Sequence, residues 1–381
     1  MFQLLFHFCN RYRLKLRLFK VLIMSIKTFL KVLVFLLISS TAMGMPKIYG
    51  KLNLSIDYDG GNGASTNSDL ISNASRVGMK GDFEINDKLT GIYQLEYQVD
   101  VANNSSSTFK TRNSFLGITG NFGTIRVGTY DTPLKRAGLK ADLFNDLRGD
   151  IKNITAGENR NSSFLGYDSP ELTKGLSLHL GVSKGAYYEV SNCLPNEGTR
   201  TTVNGLGGGF VTLCQSPPVN EGGATVRIGF FFADSLPSQT SFGKNISFSL
   251  VYDIEVIQFA LASEQKSAFG FDHNRLGMMI PAGPTTIGFI YTTTKSSRQY
   301  SNGHDYDAYT FSISGKVAEG KGTVKFQYSS SDALVGLEQI QLGYDHKLSD
   351  SFKVFTYHTN RSVDASNADH AYTGIGLEFK F

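Results

Sequence analysis

The stretch Ala371 to Phe381, AYTGIGLEFKF, decides the fold. Thr373, Ile375, Leu377, Phe379 and Phe381 share one side of an extended strand, and Gly374, Gly376, Glu378 and Lys380 share the other. Alternation of period two sets one face against something apolar and the other against water. The stretch then closes on an aromatic residue, with no cap, turn or polar tail. A soluble sandwich seldom finishes this way. The pattern predicts a strand of a closed barrel in a Gram-negative outer membrane.

Composition agrees. The 381 residues include 40 Gly, 9 Pro, 18 Tyr, 28 Phe and no Trp, with 18% charged residues, which suits many short strands and tight turns better than helices. A mean hydropathy of −0.14 excludes a helical membrane protein. After residue 44 no apolar run approaches the ~20 residues that a spanning helix needs.

Residues 24–44, MSIKTFLKVLVFLLISSTAMG, have the parts of a secretory signal. Lys27 and Lys31 form its basic end, Phe29 to Ile38 its apolar core, and Ala42-Met43-Gly44 a small-residue cleavage site. Residues 1–23 are either an extended basic leader or sequence ahead of a true start at Met24, and the second is preferred. Residues 1–44 hold seven Lys or Arg and no acid, leaving 30 bases against 33 acids and a net charge of −3 in the mature chain. The basic balance of the whole chain therefore gives no case for nucleic-acid binding. Cys9 lies in the leader, so Cys193 and Cys214 remain after export to an oxidising compartment, where a disulfide is expected rather than a metal site.

Sixteen strand candidates follow: 46–58, 74–84, 88–99, 111–119, 123–130, 160–168, 175–184 and 244–253, then 256–264, 273–281, 284–293, 306–317, 321–329, 338–347, 352–358 and 371–381. Most match the ~9–11 residues of a tilted spanning strand. Short connections such as 84–88, 120–122 and 348–351 alternate with long ones at 59–73, 100–110, 131–159, 185–243, 294–305 and 359–370. That alternation fits short periplasmic turns and extended outer loops. An apolar run at 225–232 would make seventeen strands. Termini on one side require an even number, so it is assigned to the 185–243 loop. Closure at this size leaves an aqueous lumen.

Alternation turns Lys51 inward on the first strand. On the second it sets Arg76, Lys80, Asp82 and Glu84 opposite Val77, Met79 and Phe83. The same parity places Arg112 opposite Phe115 and Gly117, and Arg160 opposite Leu165 and Tyr167. Inward placement is favoured because a charge on the lipid face costs roughly 2–4 kcal/mol at midplane. In the connection Asp131–Asn159, the acids Asp142, Asp146 and Asp150 recur every four residues. They form either a solvated acidic face or, if the loop folds inward, the negative side of a transverse field.

From about Lys47 to Phe381 the chain resembles the general, non-specific porins of Gram-negative bacteria. The carriers, in order, are Tyr49-Gly50-Lys51, Ser75-Arg76-Val77-Gly78-Met79-Lys80-Gly81, Arg112-Asn113-Ser114-Phe115-Leu116-Gly117 and Phe122-Gly123-Thr124-Ile125-Arg126-Val127-Gly128. Arg160-Asn161-Ser162-Ser163, Tyr167-Asp168-Ser169-Pro170 and the terminal Phe381 complete them. The resemblance implies an all-β, 16-stranded antiparallel transmembrane β-barrel over 45–381 with its third outer loop folded inward. It further implies a trimer, contact with lipid and lipopolysaccharide, and passive diffusion of small hydrophilic solutes and ions without cofactor or catalytic residue. Lys51, Arg76, Arg112 and Arg160 would form the basic side of the constriction, Asp142 and Asp146 its acidic side, and Phe381 an assembly signal. The chain departs from a common family turn, Pro-Glu-Phe-Gly-Gly-Asp, in having Asn145-Asp146-Leu147-Arg148-Gly149-Asp150 there.

Other groupings are weaker. His304, Asp305 and Asp307, and Asp364, Asp369 and His370, could suit a rim protease. The 185–243 loop could instead serve an adhesin. Gly205 to Gly209 lacks the flanking strand and helix of a phosphate loop.

Overall fold

The computed structural model describes residues 45–381 apart from 62–66, 104–108, 187–198, 204–209, 216–225, 232–238, 268–270, 296–304, 333–335 and 364–368. The leader, Cys193, Gly205 to Gly209, His304 and Asp364 lie outside the described residues. Of Cys214 only the backbone is described.

Sixteen antiparallel strands close into one ring. The first eight are β1 (Lys47–Asp59), β2 (Asn67–Ser72 resuming as Arg76–Asn86), β3 (Leu89–Val99), β4 (Phe109–Thr111 resuming as Ser114–Gly120), β5 (Gly123–Asp131), β6 (Arg160–Asp168), β7 (Leu176–Ala186) and β8 (Gln239–Ile254). The rest are β9 (Ile257–Gln265), β10 (Asp272–Ala282), β11 (Thr285–Lys295), β12 (Tyr306–Val317), β13 (Gly322–Ser331), β14 (Leu337–Lys347), β15 (Phe352–Val363) and β16 (His370–Lys380). Each pairs with its sequence neighbour, and β1 pairs with β16 from Lys51↔Lys380 to Asp59↔Tyr372 to seal the seam. The backbones of Gly50 and Phe381 exchange two hydrogen bonds at the end of that seam, 3.0 and 3.2 Å long.

The two faces have opposite chemistry. On β16, Ile375 and Leu377 are 65% and 51% exposed, whereas Glu378 is 6% exposed. On β1, Leu52, Ile56 and Tyr58 face out while Lys51, Asn53, Ser55 and Asp57 are buried inside. Across the described residues the buried side chains are predominantly polar, and the large apolar ones are mostly on the outside. A soluble protein has the reverse pattern. The ring presents an apolar band to lipid and a polar surface to its bore.

Register shifts at Glu84/Asn86 of β2, at Gly128/Tyr130 of β5 and near Phe242 of β8 interrupt the alternation, and two further features depart from the expected pattern. Gln98 of β3 pairs with Lys110, yet Gln94 pairs with Phe115, so β4 carries one extra residue at the break around Arg112 and Asn113. A bulge of this kind flips the side-chain parity beyond it. Arg112 does turn inward, but Phe115 and Gly117 turn inward with it rather than outward as the parity reading expects. Phe115 packs edge-on against Tyr130 at 5.3 Å. Between β7 and β8, Thr199–Val203, Phe210–Gln215 and Val226–Phe231 form a separate three-stranded sheet. The 225–232 run is therefore no part of the ring, which keeps its even number.

The segment between β5 and β6 lies inside the ring, over small residues of the opposite wall. A Cβ on Gly277 of β10 would run into the Ala137 carbonyl oxygen, and one on Gly288 of β11 would come within 2.8 Å of the Ala141 Cβ. Gly277→Ala should therefore lower the thermal unfolding temperature of the folded barrel, since overpacking costs on the order of 1–3 kcal/mol. Gly315→Ala should leave it unchanged, because a Cβ there meets only Thr285 Oγ1 at 3.9 Å. Equal melting temperatures for the two variants would contradict this packing.

Candidate functional site

The inward segment starts with α1 (Pro133–Arg136), capped by the Thr132 side chain, which accepts from the Lys135 N–H. Leu134 is buried against Ala260 and Ala262 of β9. Farther along, the Leu143 N–H donates to Gln327 Oε1 on β13, and Lys325 Nζ donates to the Leu143 carbonyl. Phe144 and Leu147 pack on Phe355 and Tyr357 of β15. The chain then turns back, with Gln339 of β14 donating to the Gly149 carbonyl and Ile151 packing on Ile290 of β11. The neck closes where the Thr132 N–H donates to the Asn159 carbonyl at 3.2 Å. The loop thus lines the wall from β7 to β15, and the bore lies between it and β1 to β6.

The tip meets the basic wall. Asp146, at a left-handed φ of 71° that Asp tolerates better than most residues, pairs with Lys51 at 2.8 Å and lies 3.7 Å from Arg76. Burial disfavours its charge, but Lys51 and then Arg112 and Arg76 outweigh that and hold its carboxyl below the usual aspartate range. Arg112 pairs with Glu96 at 2.8 Å, and Arg160 with Asp131 at 3.0 Å. Arg160 also donates to Asn113 Oδ1 at 2.8 Å. The four wall cations therefore converge, with Glu96 and Asp131 interleaved among them.

Asp142 is not brought to these cations. Its carboxylate accepts from the backbone N–H groups of Phe144 and Ile151 and from Gln327 Nε2, so it holds the loop's own turns and ties them to β13. Asp150 accepts from the Asp146 and Lys152 N–H groups, and Glu158 pairs with Arg275 at 2.5 Å. A cavity of about 500 Å³ beside the loop is lined by mixed charge: Asp131, Lys135, Arg136, Lys140, Asp142 and Glu158 among others. Beneath the tip a second charged group joins Lys325 and Lys353 to Asp345, both at 2.8 Å, and Lys353 to Glu378 at 3.5 Å.

Motif reading passed over Glu96 and Arg275, although alternation marks both. Gln94, Glu96 and Gln98 alternate with Leu95, Tyr97 and Val99, and His273 and Arg275 with the outward Leu276 and Met278. Among the rim candidates, Asp307 accepts from the Tyr291 hydroxyl at 2.6 Å, and His370 stacks on Tyr372 at 5.8 Å.

A family description, Gram-negative porin, matches residues 31–366. The chain belongs to this porin family. It is an outer-membrane protein, and it is 27% identical over 316 residues to the major outer membrane protein P.IB of Neisseria meningitidis serogroup B, covering 75% of this chain and 90% of that one. A shorter match to P.IB of Neisseria gonorrhoeae is 32% identical over 110 residues and spans only 31% of that relative's length. Among solved structures, an anion-selective porin from Comamonas acidovorans superposes with a TM-score of 0.61 at 19% identity, covering 88% of this porin and 99% of that chain.

Burial, and next the Asp150 carboxylate, push the Asp142 carboxyl up to about 8. A folded-state pKa above the ~3.9 of free aspartate favours attachment of the loop at low pH, and that contribution is lost as pH rises through the higher value. Single-channel current noise in the porin should therefore grow as pH rises through about 8. Asp142→Asn should abolish the rise, and an identical pH profile in the variant would contradict this assignment.

Proposed function

We propose that this porin passes small hydrophilic solutes and ions by passive diffusion through a bore narrowed by the 131–159 loop, without catalysing a reaction. What carries the proposal is the polar inner wall, crossed by a loop whose tip acid meets Lys51 and Arg76. Lys51, Arg76, Arg112 and Arg160 act as the basic side of the constriction. Asp146 acts as its acidic side, with Asp142 contributing mainly by holding the loop.

The bore favours anions. Residues 131–159 carry five bases and five acids. All five acids are engaged, by Arg160, by N–H donors and Gln327, by Lys51, by Lys152 and by Arg275. Lys140, by contrast, is exposed at the bore cavity. Arginine keeps its charge even when crowded by like charges, because its pKa exceeds ~12. The protein works as a homotrimer in contact with lipopolysaccharide, in keeping with a Vibrio cholerae outer-membrane protein, OmpT, described in a trimer form. Cys193 and Cys214 form a disulfide in the outer loop, and Phe381 serves assembly by sealing the seam.

Planar-bilayer recordings of the purified protein should show stepwise conductance, with a reversal potential in a salt gradient that favours anions. Arg76→Ala, Arg112→Ala and Lys140→Glu should each shift it toward cations. No conductance steps would refute the channel, and unshifted potentials would refute the constriction assignment. The separate sheet at 199–231 supports a second role for the outer loop as a binding surface. Deleting residues 193–214 should leave conductance intact, and loss of the pore on deletion would contradict the division of labour between ring and loop.

A further inference from the structure

Arg275, on the inner face of β10, has a side chain with no exposed surface. Its guanidinium reaches both stems of the inward loop. NH1 donates to the Leu134 carbonyl at 3.4 Å, in the first turn of the loop, and to Glu158 Oε1 at 2.5 Å, near its end. NH2 donates to the Ala156 carbonyl at 2.8 Å, and Nε donates to Thr292 Oγ1 of β11 at 3.0 Å. One rigid fork thus joins the entry stem, the exit stem and the barrel wall.

The local chain is shaped around that fork. Gly157 sits between Ala156 and Glu158 at a φ of 86°, where L side chains are strained, and a Cβ there would run into Leu134. On the other stem, a Cβ on Gly138 would stand 3.5 Å from Arg275 NH1. Lysine could not replace the fork, since an ammonium is a point charge and cannot serve acceptors spread across two stems and a neighbouring strand. The loop's tip is held by apolar packing, by the Asp146 pair, by Arg148 with Asp57 at 3.4 Å, and by donation from Lys325 and Arg361 to the Leu143 and Arg148 carbonyls. The neck holds the more deeply buried pair, Arg275 with Glu158, and breaking one side of such a pair leaves its partner buried and unpaired.

We infer that Arg275 is the positioning residue that keeps the 131–159 loop against the β9–β11 wall and so sets the width of the bore. The consequence for conductance rests on the channel proposed above; the position of the loop does not. In Arg275→Met the loop leaves the wall while the ring remains closed. In Arg275→Lys the Glu158 pair survives but the carbonyl contacts do not, and the loop is only partly released.

Hydrogen–deuterium exchange on the folded barrel reads the loop directly. Expected is faster exchange in 133–159 for Arg275→Met, an intermediate rate for Arg275→Lys, and unchanged protection in β9 to β12. Uniformly faster exchange in loop and strands alike would reduce Arg275 to a general stabilising residue and overturn the inference, as would a loop that exchanges at the wild-type rate. Bilayer recordings on the same samples should show higher unit conductance and passage of sugars that the wild type excludes. Where Arg275→Met fails to fold, Glu158→Gln, which removes one acceptor's charge, takes its place under the same criteria. A silent wild-type channel together with a released loop would uphold the staple and sink the channel.

Discussion

The structure depends on one constraint: in hydrocarbon, every backbone N–H and C=O must find a partner within the protein. An open sheet leaves two edges unpaired, so the sheet must close, and here it closes between β1 and β16. The seam needs a small residue at Gly50, because a Cβ there would clash with the Phe381 ring. Once the ring is shut, period-two alternation assigns every side chain to lipid or to water. Outward isoleucines and leucines and inward serines, glutamines and charges follow from that single geometric fact.

A wet interior makes the inward loop affordable in physical terms. A loop laid across an apolar core would strand its backbone polar groups. Here the wall offers Gln327, Gln339, Ser247 and Arg275 as partners for loop amides and carbonyls. Glycines and alanines on β9 to β14 let the loop backbone approach closely. The opposite wall, from β1 to β6, keeps its long cations. The bore is asymmetric as a result, with the loop on one side and guanidinium groups on the other.

The ring was legible because its signal is repeated: sixteen segments each alternate, and errors in one are corrected by its neighbours. What alternation could not supply was the bulge in β4, since an extra residue at Arg112 and Asn113 leaves no mark on composition. The loop was legible only in part. Spacing of four singled out Asp142, Asp146 and Asp150, but equal spacing hid unequal fates. Asp146 turns to Lys51, while Asp142 and Asp150 turn back to loop amides. Their partners lie far away in sequence, with Gln327 separated from Asp142 by 185 residues. Long-range pairing of this sort is set by closure of the ring, which a local motif does not encode.

The central claim is a ring that is apolar outside and wet inside. Single cysteines at Val77 and Lys80 of β2, in a background with Cys193 and Cys214 replaced by Ser, test it most directly. A water-soluble thiol reagent should label position 80, and brominated lipid should quench a fluorophore at position 77. Aqueous labelling at 77 together with lipid quenching at 80 would contradict the account.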